Sequence, residues 1–370
     1  MNDIRPLNPP QRILMGPGPS TVPDRILKAI GQPTLGHLDP AYIEIMDETC
    51  ALLRKVYQTE NALTFPVSAT GMAGMEAIAS NLVERGDEVI VCVNGVFGGR
   101  MAEVMERCGT TVHKIEAEWG SIIDDEAVAR AVESHPKAKL LTIVHAETST
   151  GAHQPLEEIS KVVHEAGMLL VVDAVTSLSG HPLPIDQWKV DAVFSGTQKC
   201  LSCPPGLSPV SFSEQALEVM DNRSTKPQSW YFDVSMLRAY YSGSGKRAYH
   251  HTAPINMVYA LREALAIVLE EGLEARYERH QRVHEYLKKG LANLGISYIP
   301  EHSLHTLNCV RIPDGVDDAD VRGRLLNDYS IEIGAGLGPF AGKAWRIGIM
   351  GHSATEENVD TLLKALTEIL

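Results

Sequence analysis

The clearest strand signal in this sequence is Met168-Leu169-Leu170-Val171-Val172-Asp173, five apolar residues followed by an acid. A second segment, Asp191-Ala192-Val193-Phe194-Ser195-Gly196-Thr197-Gln198-Lys199, contains a short apolar run, a small polar turn and a lysine. Near-continuous apolar runs are typical of parallel strands that helices cover on both faces. The two segments therefore predict neighbouring strands of a parallel sheet, with Asp173 and Lys199 at the same edge.

Similar runs recur between residues 60 and 215 and alternate with helical patterns. We predict seven strands, at residues 62–67, 88–93, 110–115, 139–144, 168–173, 191–195 and 208–212. Helical patterns occupy residues 71–83, 98–108, 124–133 and 155–165. This alternation indicates an α/β fold, a three-layer sandwich around a mostly parallel seven-stranded sheet.

The pattern changes after Pro254. A long helical stretch at residues 256–294, interrupted near Gly272, predicts a connecting helix. Strands at 306–312, 331–333 and 345–349 and helices at 317–328 and 355–370 follow, which indicates a smaller α+β domain. We expect an N-terminal arm over residues 1–20, a large domain over 21–255 and a small C-terminal domain over 256–370.

Composition excludes several classes of protein. The chain has 370 residues, 44% of them hydrophobic, which is enough for about two domains with a sizeable core. A net charge of −14 without any Lys/Arg-rich run argues against nucleic-acid or anionic-membrane partners. The apolar runs are far shorter than the ~20 residues of a membrane span, and residues 1–10 do not resemble a secretory signal. We expect a cytoplasmic protein.

Asp173 and Lys199 are the first candidates for chemistry, because ligands of open α/β sheets bind beyond the carboxyl ends of the strands. Together they form the pair that a pyridoxal phosphate site needs. The amine condenses with the cofactor aldehyde, and the carboxylate keeps the pyridine nitrogen protonated. Taken singly, Asp173 is equally well a residue that caps a turn, and Lys199 is more commonly a solvated surface lysine.

Three further segments could complete such a site. Thr70, Gly71 and Met72 lie between a strand and a helix, where backbone N–H groups attract phosphate, although an ordinary capped turn is the alternative. Phe97 follows another strand and could stack on the pyridine ring or simply pack in the core. Arg346 alternates with apolar residues of a small-domain strand and could bind a substrate carboxylate or a structural acid.

Other motifs indicate no additional chemistry. Cys200 and Cys203 have C-x-x-C spacing, but no second Cys or His pair accompanies them, so we assign no metal site and no redox centre. Residues 243–246 resemble the end of a P-loop but lack its first glycine and final hydroxyl residue, so no nucleotide site is predicted. The six scattered cysteines are expected to be mostly buried thiols.

Five segments taken together resemble the class V, fold-type I, pyridoxal-phosphate aminotransferases, and within them the alanine-glyoxylate and serine-pyruvate group. Their sequences are Met-Gly-Pro-Gly-Pro-Ser at 15–20, His-Ala-Glu-Thr-Ser-Thr-Gly at 145–151, Ser-Gly-Thr-Gln-Lys at 195–199, Tyr-His-His-Thr at 249–252 and Arg-Ile-Gly at 346–348. They extend over nearly the whole chain and are specific only in combination.

The resemblance implies roles for individual residues. Lys199 would be the Schiff-base lysine, Asp173 would bind the pyridine nitrogen, and Arg346 would hold the substrate carboxylate beside Gly16. The other implied cofactor-binding residues are Thr70, Gly71, Met72, Phe97, Thr148, Val175 and Gln198, together with Tyr249 and Thr252 from the other subunit of a homodimer. Phe97 stands where several members carry Trp, and Met72 where animal relatives carry His, which leaves the cofactor affinity open.

The implied reaction is a ping-pong transfer of the amino group of a small L-amino acid, alanine or serine, to glyoxylate or a similar 2-oxo acid. A ureidoglycine-glyoxylate aminotransferase is the nearest alternative, although His37 and Tyr249 stand where we expect amide side chains in that group. A cysteine desulfurase needs a thiol on a mobile loop, whereas Cys309 lies in a predicted strand. A non-catalytic sensor or assembly protein would be favoured only without Lys199 or Asp173.

Overall fold

The computed structural model describes residues 5–241 and 247–370, so the P-loop-like residues 243–246 and the start of the predicted arm lie outside the described residues. The strands are β1 (Ile13–Leu14), β2 (Leu63–Val67), β3 (Glu88–Val93), β4 (Thr111–Glu116), β5 (Ala138–Val144), β6 (Ala146–Glu147), β7 (Ala152–His153), β8 (Leu169–Asp173), β9 (Ala192–Phe194), β10 (Ser208–Phe212), β11 (Leu307–Arg311), β12 (Ile331–Glu332), β13 (Gly334–Ala335) and β14 (Ala344–Gly348).

The helices are α1 (Asp24–Ile30), α2 (Pro40–Tyr57), α3 (Gly71–Leu82), α4 (Val96–Arg107), α5 (Asp125–Ser134), α6 (Glu157–Glu165), α7 (Glu214–Asp221), α8 (Val234–Tyr241), α9 (Ile255–Glu271), α10 (Leu273–Asn293), α11 (Asp318–Asp328) and α12 (Glu356–Ile369). Short 3₁₀ turns lie at Gly338–Phe340 and Gly351–Ser353.

Seven strands form the large sheet, in the order β2-β10-β9-β8-β5-β3-β4. Among them only β10 runs antiparallel to its neighbours, so the prediction of a mostly parallel seven-stranded α/β sheet is confirmed. Every residue of β8 is buried, as expected for a strand in the middle of a helix-covered sheet.

The register of the sheet determines where the site forms. Asp173, the last residue of β8, lies beside Val144 of β5 and Phe194 of β9. The carboxyl ends of three adjacent parallel strands therefore meet at one level. The turn that carries Lys199 starts directly from this edge, where ligands of open α/β sheets bind.

The C-terminal part has its own apolar core. Strands β11, β14 and β13 form an antiparallel sheet, and Trp345 in β14 is completely buried among residues of α10, α11 and α12. The predicted long helix consists of α9 and α10, separated at Gly272, whose φ of 86° disfavours any other residue. The division of the chain into domains at residues 20 and 255 stays a prediction.

The segment expected to be an extended arm packs onto the C-terminal part. β1 pairs in parallel with β12, and Met15 is buried in the same core as Trp345. The N–H of Gly348 donates to the Met15 carbonyl at 2.7 Å. Apolar residues 13–15 therefore bind β12 and the end of β14, and the residues that follow reach the lysine turn of the large sheet.

The structure also describes the cysteines and the possibility of membrane-spanning helices. The six cysteines are all free and buried. None of the helices in the described ranges combines the length and the apolar character that crossing a membrane requires.

Candidate active site

The turn after β9 holds Lys199 against the N-terminal segment. The Lys199 Nζ donates a short hydrogen bond to the Pro17 carbonyl. Ser20 binds the backbone of the same turn, because its N–H donates to the Gln198 carbonyl at 2.9 Å and its Oγ donates to the Lys199 carbonyl at 2.7 Å. Gly18 has a φ of 108°, which favours glycine, and a Cβ at this position would lie 2.8 Å from the Lys199 Nζ, so another residue would displace the amine.

Burial makes Lys199 a group that can exchange a proton. It lowers the pKa of the amine from 10.5 to about 8, with nearby Arg346 adding to the decrease and Cys200 and Asp173 opposing it. An amine with this pKa is partly neutral near pH 7, which is what a nucleophile or base requires.

Asp173 is also buried, with only 2% of its surface exposed. Its Oδ1 accepts a 2.8 Å hydrogen bond from the Val175 N–H. Burial raises the pKa of the carboxyl to about 7, the Val175 N–H opposes that change, and the charges of Glu147 and Lys199 act in opposite directions. A cationic ring nitrogen beside Asp173 would stabilise its charged form.

Gln198 and Thr148 are the polar side chains expected to bind substituents of the cofactor ring. The Gln198 Oε1 is buried and has no hydrogen-bond partner within the described residues. The Thr148 Oγ1 is 2.5 Å from the Thr176 Oγ1. An unpaired buried amide oxygen is costly and therefore points to a bound polar group.

The turn 70–72 stands at the N-terminus of α3. Thr70 is the N-cap residue, yet its side chain makes no capping hydrogen bond, so the first turn of the helix is open to an anion. A Cβ on Gly71 would lie 3.3 Å from the Val175 Cγ2, so this turn packs directly against the end of β8. The Met72 Sδ accepts a weak hydrogen bond from the Arg100 Nη1 at 3.9 Å.

Phe97 lies in the first turn of α4, half-buried, with the Arg100 guanidinium 5.0 Å from its ring centroid. Its backbone N–H donates to the carboxylate of Glu147 at 3.1 Å. Glu147 was assigned no role from the sequence. The only sequence signal was an acid among small hydroxyl residues just after a strand, and the pattern could not indicate its partner on α4.

Arg346 in β14 belongs to the other half of the molecule and is 8% exposed. Its Nε donates to the Ala335 carbonyl at 2.7 Å, and its Nη1 donates to the Thr148 carbonyl at 3.3 Å. In the described residues no carboxylate oxygen lies within 4.0 Å of this guanidinium. Burial lowers the pKa of Arg346, and the more distant charges of Cys309 and Glu147 oppose that change. A buried cation with no acid in direct contact is suited to bind an acidic substrate.

Gly16 lies against the same strand. A Cβ on Gly348 would approach the Gly16 carbonyl oxygen to 2.0 Å, so the N-terminal segment and β14 are in direct contact two residues beyond Arg346. The structure therefore brings together the lysine turn, the N-terminal segment and the arginine strand.

Tyr249 and Thr252 are also predicted site residues. Within one chain, none of their contacts in the described residues involves Lys199 or a residue of its turn. Both are exposed, Tyr249 to 58%, and their hydroxyl oxygens are 3.4 Å apart. The Tyr249 ring instead contacts His37, with ring centroids 4.8 Å apart. Between them, His251 binds the Ser68 Oγ at 2.6 Å, just before the turn 70–72.

One cluster of possible metal ligands lies away from this site. The imidazoles of His113 and His135 stack with centroids 3.5 Å apart, and the His113 Nε2 is 2.9 Å from a carboxylate oxygen of Glu88. The three possible ligand atoms of Glu88, His113 and His135 lie within 4.8 Å of one another. No other observation on the described residues points to an ion there, so we assign this cluster no role.

The arrangement fits a cofactor with an aldehyde, a pyridine nitrogen and a phosphate. The neutral-prone amine of Lys199 suits the aldehyde, the carboxylate of Asp173 suits a protonated ring nitrogen, and the open N-terminus of α3 suits the phosphate. The unpaired Gln198 oxygen could accept a hydrogen bond from a further substituent of the ring. Cys309 lies in the buried strand β11, so the thiol on a mobile loop that a cysteine desulfurase needs is absent from this position.

The class-V aminotransferase family model matches residues 14–362 of the chain. The chain is 39% identical to the (S)-ureidoglycine–glyoxylate transaminase of Bacillus subtilis strain 168, over 100% of this chain and 93% of that protein. It is 41% identical to the alanine–glyoxylate aminotransferase of Oryctolagus cuniculus, over 99% of this chain and 94% of that protein. The solved structure of the alanine–glyoxylate aminotransferase of Nostoc sp. is 48% identical and matches with a TM-score of 0.97, covering 99% of this chain and 97% of that one.

Proposed function

Because this chain belongs to the class V aminotransferases, a family of pyridoxal-phosphate-dependent transaminases, we propose that it transfers the amino group of a small L-amino acid, alanine first, to glyoxylate in a ping-pong reaction. The observation that carries the proposal is the meeting of half-buried Lys199 and buried Asp173 with a buried Arg346 that has no carboxylate oxygen within 4.0 Å in the described residues. The names of the relatives from Oryctolagus cuniculus and Nostoc support the choice of donor and acceptor.

Seven residues would hold the cofactor besides Lys199 and Asp173. Thr70, Gly71 and Met72 would bind the phosphate at the start of α3, Phe97 and Val175 would flank the ring, and Thr148 and Gln198 would bind its substituents. When bound, pyridoxal phosphate supplies an electron sink for the charge that develops at the substrate α-carbon. Asp173 would keep the proton on the ring nitrogen that this role requires.

Arg346 would bind the substrate carboxylate in a fork-like pair, with Gly16 lining the same space. The α-carbon would thereby be held near the Nζ of Lys199. The Lys199 amine, whose pKa of about 8 leaves it partly neutral, would take the proton from the substrate α-carbon as a general base. The buried setting would exclude water from the transfer.

We further propose a cytoplasmic homodimer in which Tyr249 and Thr252 of each copy complete the phosphate site of the other. Their exposure and their adjacent hydroxyl groups support this arrangement. Trp230, also largely exposed, and Tyr231 lie on the same side through their contacts with His250. Exposed aromatic clusters of this kind commonly mark interfaces. A fully active monomer in light scattering would contradict the shared site.

The second candidate donor is ureidoglycine. The specific observation in its favour is the identity to the Bacillus subtilis transaminase, which is close to that of the alanine-using relatives. Against it stands the pair His37 and Tyr249, whose rings contact each other where we expect amide side chains for that substrate.

The visible spectrum of the purified protein tests the proposal. We expect a yellow band from bound pyridoxal phosphate that bleaches on adding L-alanine and is restored by glyoxylate. L-serine and ureidoglycine, added separately, rank the donors. Bleaching by ureidoglycine alone would favour the second candidate, and a protein that stays colourless after incubation with the cofactor would overturn the assignment.

A further inference from the structure

Glu147 in β6 is a completely buried acid that forms no ion pair within 4.0 Å in the described residues. Four donors surround it instead. Its Oε1 accepts from the Ser149 N–H at 3.1 Å and the Ser149 Oγ at 2.5 Å. Its Oε2 accepts from the Phe97 N–H at 3.1 Å and the Gly98 N–H at 3.3 Å.

These contacts favour a carboxylate. Burial raises the pKa of Glu147, and the hydrogen bonds from Ser149, Gly98 and Phe97 oppose that change. In either orientation, an amide in its place would direct its own N–H₂ group at a backbone N–H group. Two of the donors belong to the first turn of α4, where the helix dipole favours a negative charge. The helix has Gly95 as its N-cap residue, without a side-chain cap, so Glu147 performs the capping from a distant strand.

We infer that Glu147 is a positioning residue that fixes Phe97 relative to Thr148, and thereby the two sides of the ring-binding space. Through α4, it binds the backbone that carries Phe97. Through the chain, it is joined directly to Thr148, whose hydroxyl contacts Thr176 and whose carbonyl accepts from Arg346. The inference rests on the proposed function, because it assigns Phe97 and Thr148 to the cofactor ring.

Gly95 packs against the same cluster of Glu147 and Ser149. A Cβ at this position would lie 2.5 Å from the Glu147 Cγ and Cδ and from the Ser149 Oγ. The Gly95 backbone is extended, with φ of 177°, so an alanine would be excluded by space alone and not by conformation. A Cβ on Gly99, in the same helix, would meet no atom of the described residues within 4 Å.

This difference provides a matched pair of substitutions. Gly95→Ala displaces the Glu147 carboxylate without changing its chemistry, and Gly99→Ala adds the same methyl group where it touches nothing. Glu147→Gln changes the acceptor chemistry while keeping the shape. All three are compared with the wild-type holoenzyme for the dissociation constant of pyridoxal phosphate, for the visible circular dichroism per bound cofactor, which reports ring orientation, and for the thermal midpoint.

We expect Glu147→Gln and Gly95→Ala to weaken cofactor binding about tenfold or more, as the loss of charge-assisted hydrogen bonds predicts. They should also change the circular dichroism of the cofactor that remains bound. Gly99→Ala should match the wild type in both. A variant whose thermal midpoint falls while cofactor affinity and circular dichroism stay at wild-type values would show a merely structural role and overturn the inference.

The inference also fails if Gly99→Ala changes cofactor binding as much as Gly95→Ala does. If Glu147→Gln does not fold, Gly95→Ala decides the question, because it retains every side chain of the cluster. A wild-type protein that binds no pyridoxal phosphate would be a different result, since it would refute the proposed function itself.

Discussion

Lys199, in the turn after β9, is half-buried and Arg346, in β14, is buried, and the loss of solvent affects these two cations of the site differently. Neither has a carboxylate oxygen within 4.0 Å in the described residues, and burial lowers the pKa of both. For the lysine the value reaches about 8, whereas a guanidinium starts so high that it stays charged. The same kind of environment thus produces a proton-exchanging group in one region and a permanent cation in the other.

The N-terminal segment joins the two regions. Pro17 accepts the hydrogen bond of Lys199, and Met15 accepts one from Gly348 near Arg346. A site with a reactive amine and a carboxylate-binding cation therefore depends on a segment that contributes no charged group of its own.

The largest effect is expected when Lys199 is replaced by arginine, the cation found in the β14 region. Lys199→Arg keeps the charge but removes the amine that can become neutral, so we expect it to lose at least about 10⁴-fold in kcat, as Lys199→Ala should. Steady-state transamination assays without added amines measure both. Measurable multiple turnover by either variant would contradict the distinction between the two cations.

Asp173→Asn tests whether the acid beside Lys199 acts on the ring and not mainly on the lysine. The variant should still bind cofactor but lose about 10²- to 10³-fold in kcat, because a preorganised charge is removed. Cofactor content by absorbance and rates by stopped flow separate the two effects. Near-wild-type turnover would contradict the role of Asp173.

Arg346→Lys makes the reverse exchange. A lysine in β14 lacks the planar fork, and burial would lower its pKa as it does for Lys199. We expect KM for the amino donor to rise about 10- to 100-fold, equivalent to one charge-assisted pair, with a smaller change in kcat. An unchanged KM for both donor and acceptor would show that Arg346 does not bind the substrate carboxylate.

The pH dependence of cofactor uptake gives the smallest expected effect. Only the neutral amine attacks an aldehyde, so the rate at which apoenzyme binds pyridoxal phosphate covalently should rise with pH and level off above the pKa of about 8. The neutral fraction then increases about tenfold between pH 7 and pH 9. An unperturbed lysine would instead keep rising tenfold per pH unit throughout this range.

Much of the large sheet could be predicted from the sequence. The seven strands of the sheet were predicted within a few residues, because apolar runs of strand length recur between helical patterns. Helices α1, α2, α7 and α8 were not predicted, and neither were the short strands β1, β6, β7 and β13. Strands of two residues have too little pattern of their own, since a partner elsewhere in the chain determines their pairing.

Some residues of the candidate site could be predicted from the sequence, and others could not. Asp173 and Lys199 could be proposed from the sequence because strand ends can be identified from local patterns and share one edge in a parallel sheet. The contact of Glu147 with α4 could not be proposed, because it joins residues 50 positions apart in the chain. The resemblance placed Gly16 beside Arg346, but the hydrogen bond between Pro17 and Lys199 could not be proposed, since the Pro-rich start of the chain has no periodicity.

By itself, the sequence determined the α/β sheet, the placement of an acid and a lysine at its edge, and the resemblance to an aminotransferase family. These properties depend on periodicity and residue type, which are local. Only the tertiary structure decided that Lys199 is desolvated enough to exchange a proton, that Arg346 lies near it without an acid, and that Glu147 caps α4. Desolvation and pairing depend on what surrounds a side chain, and its neighbours here come from distant parts of the chain.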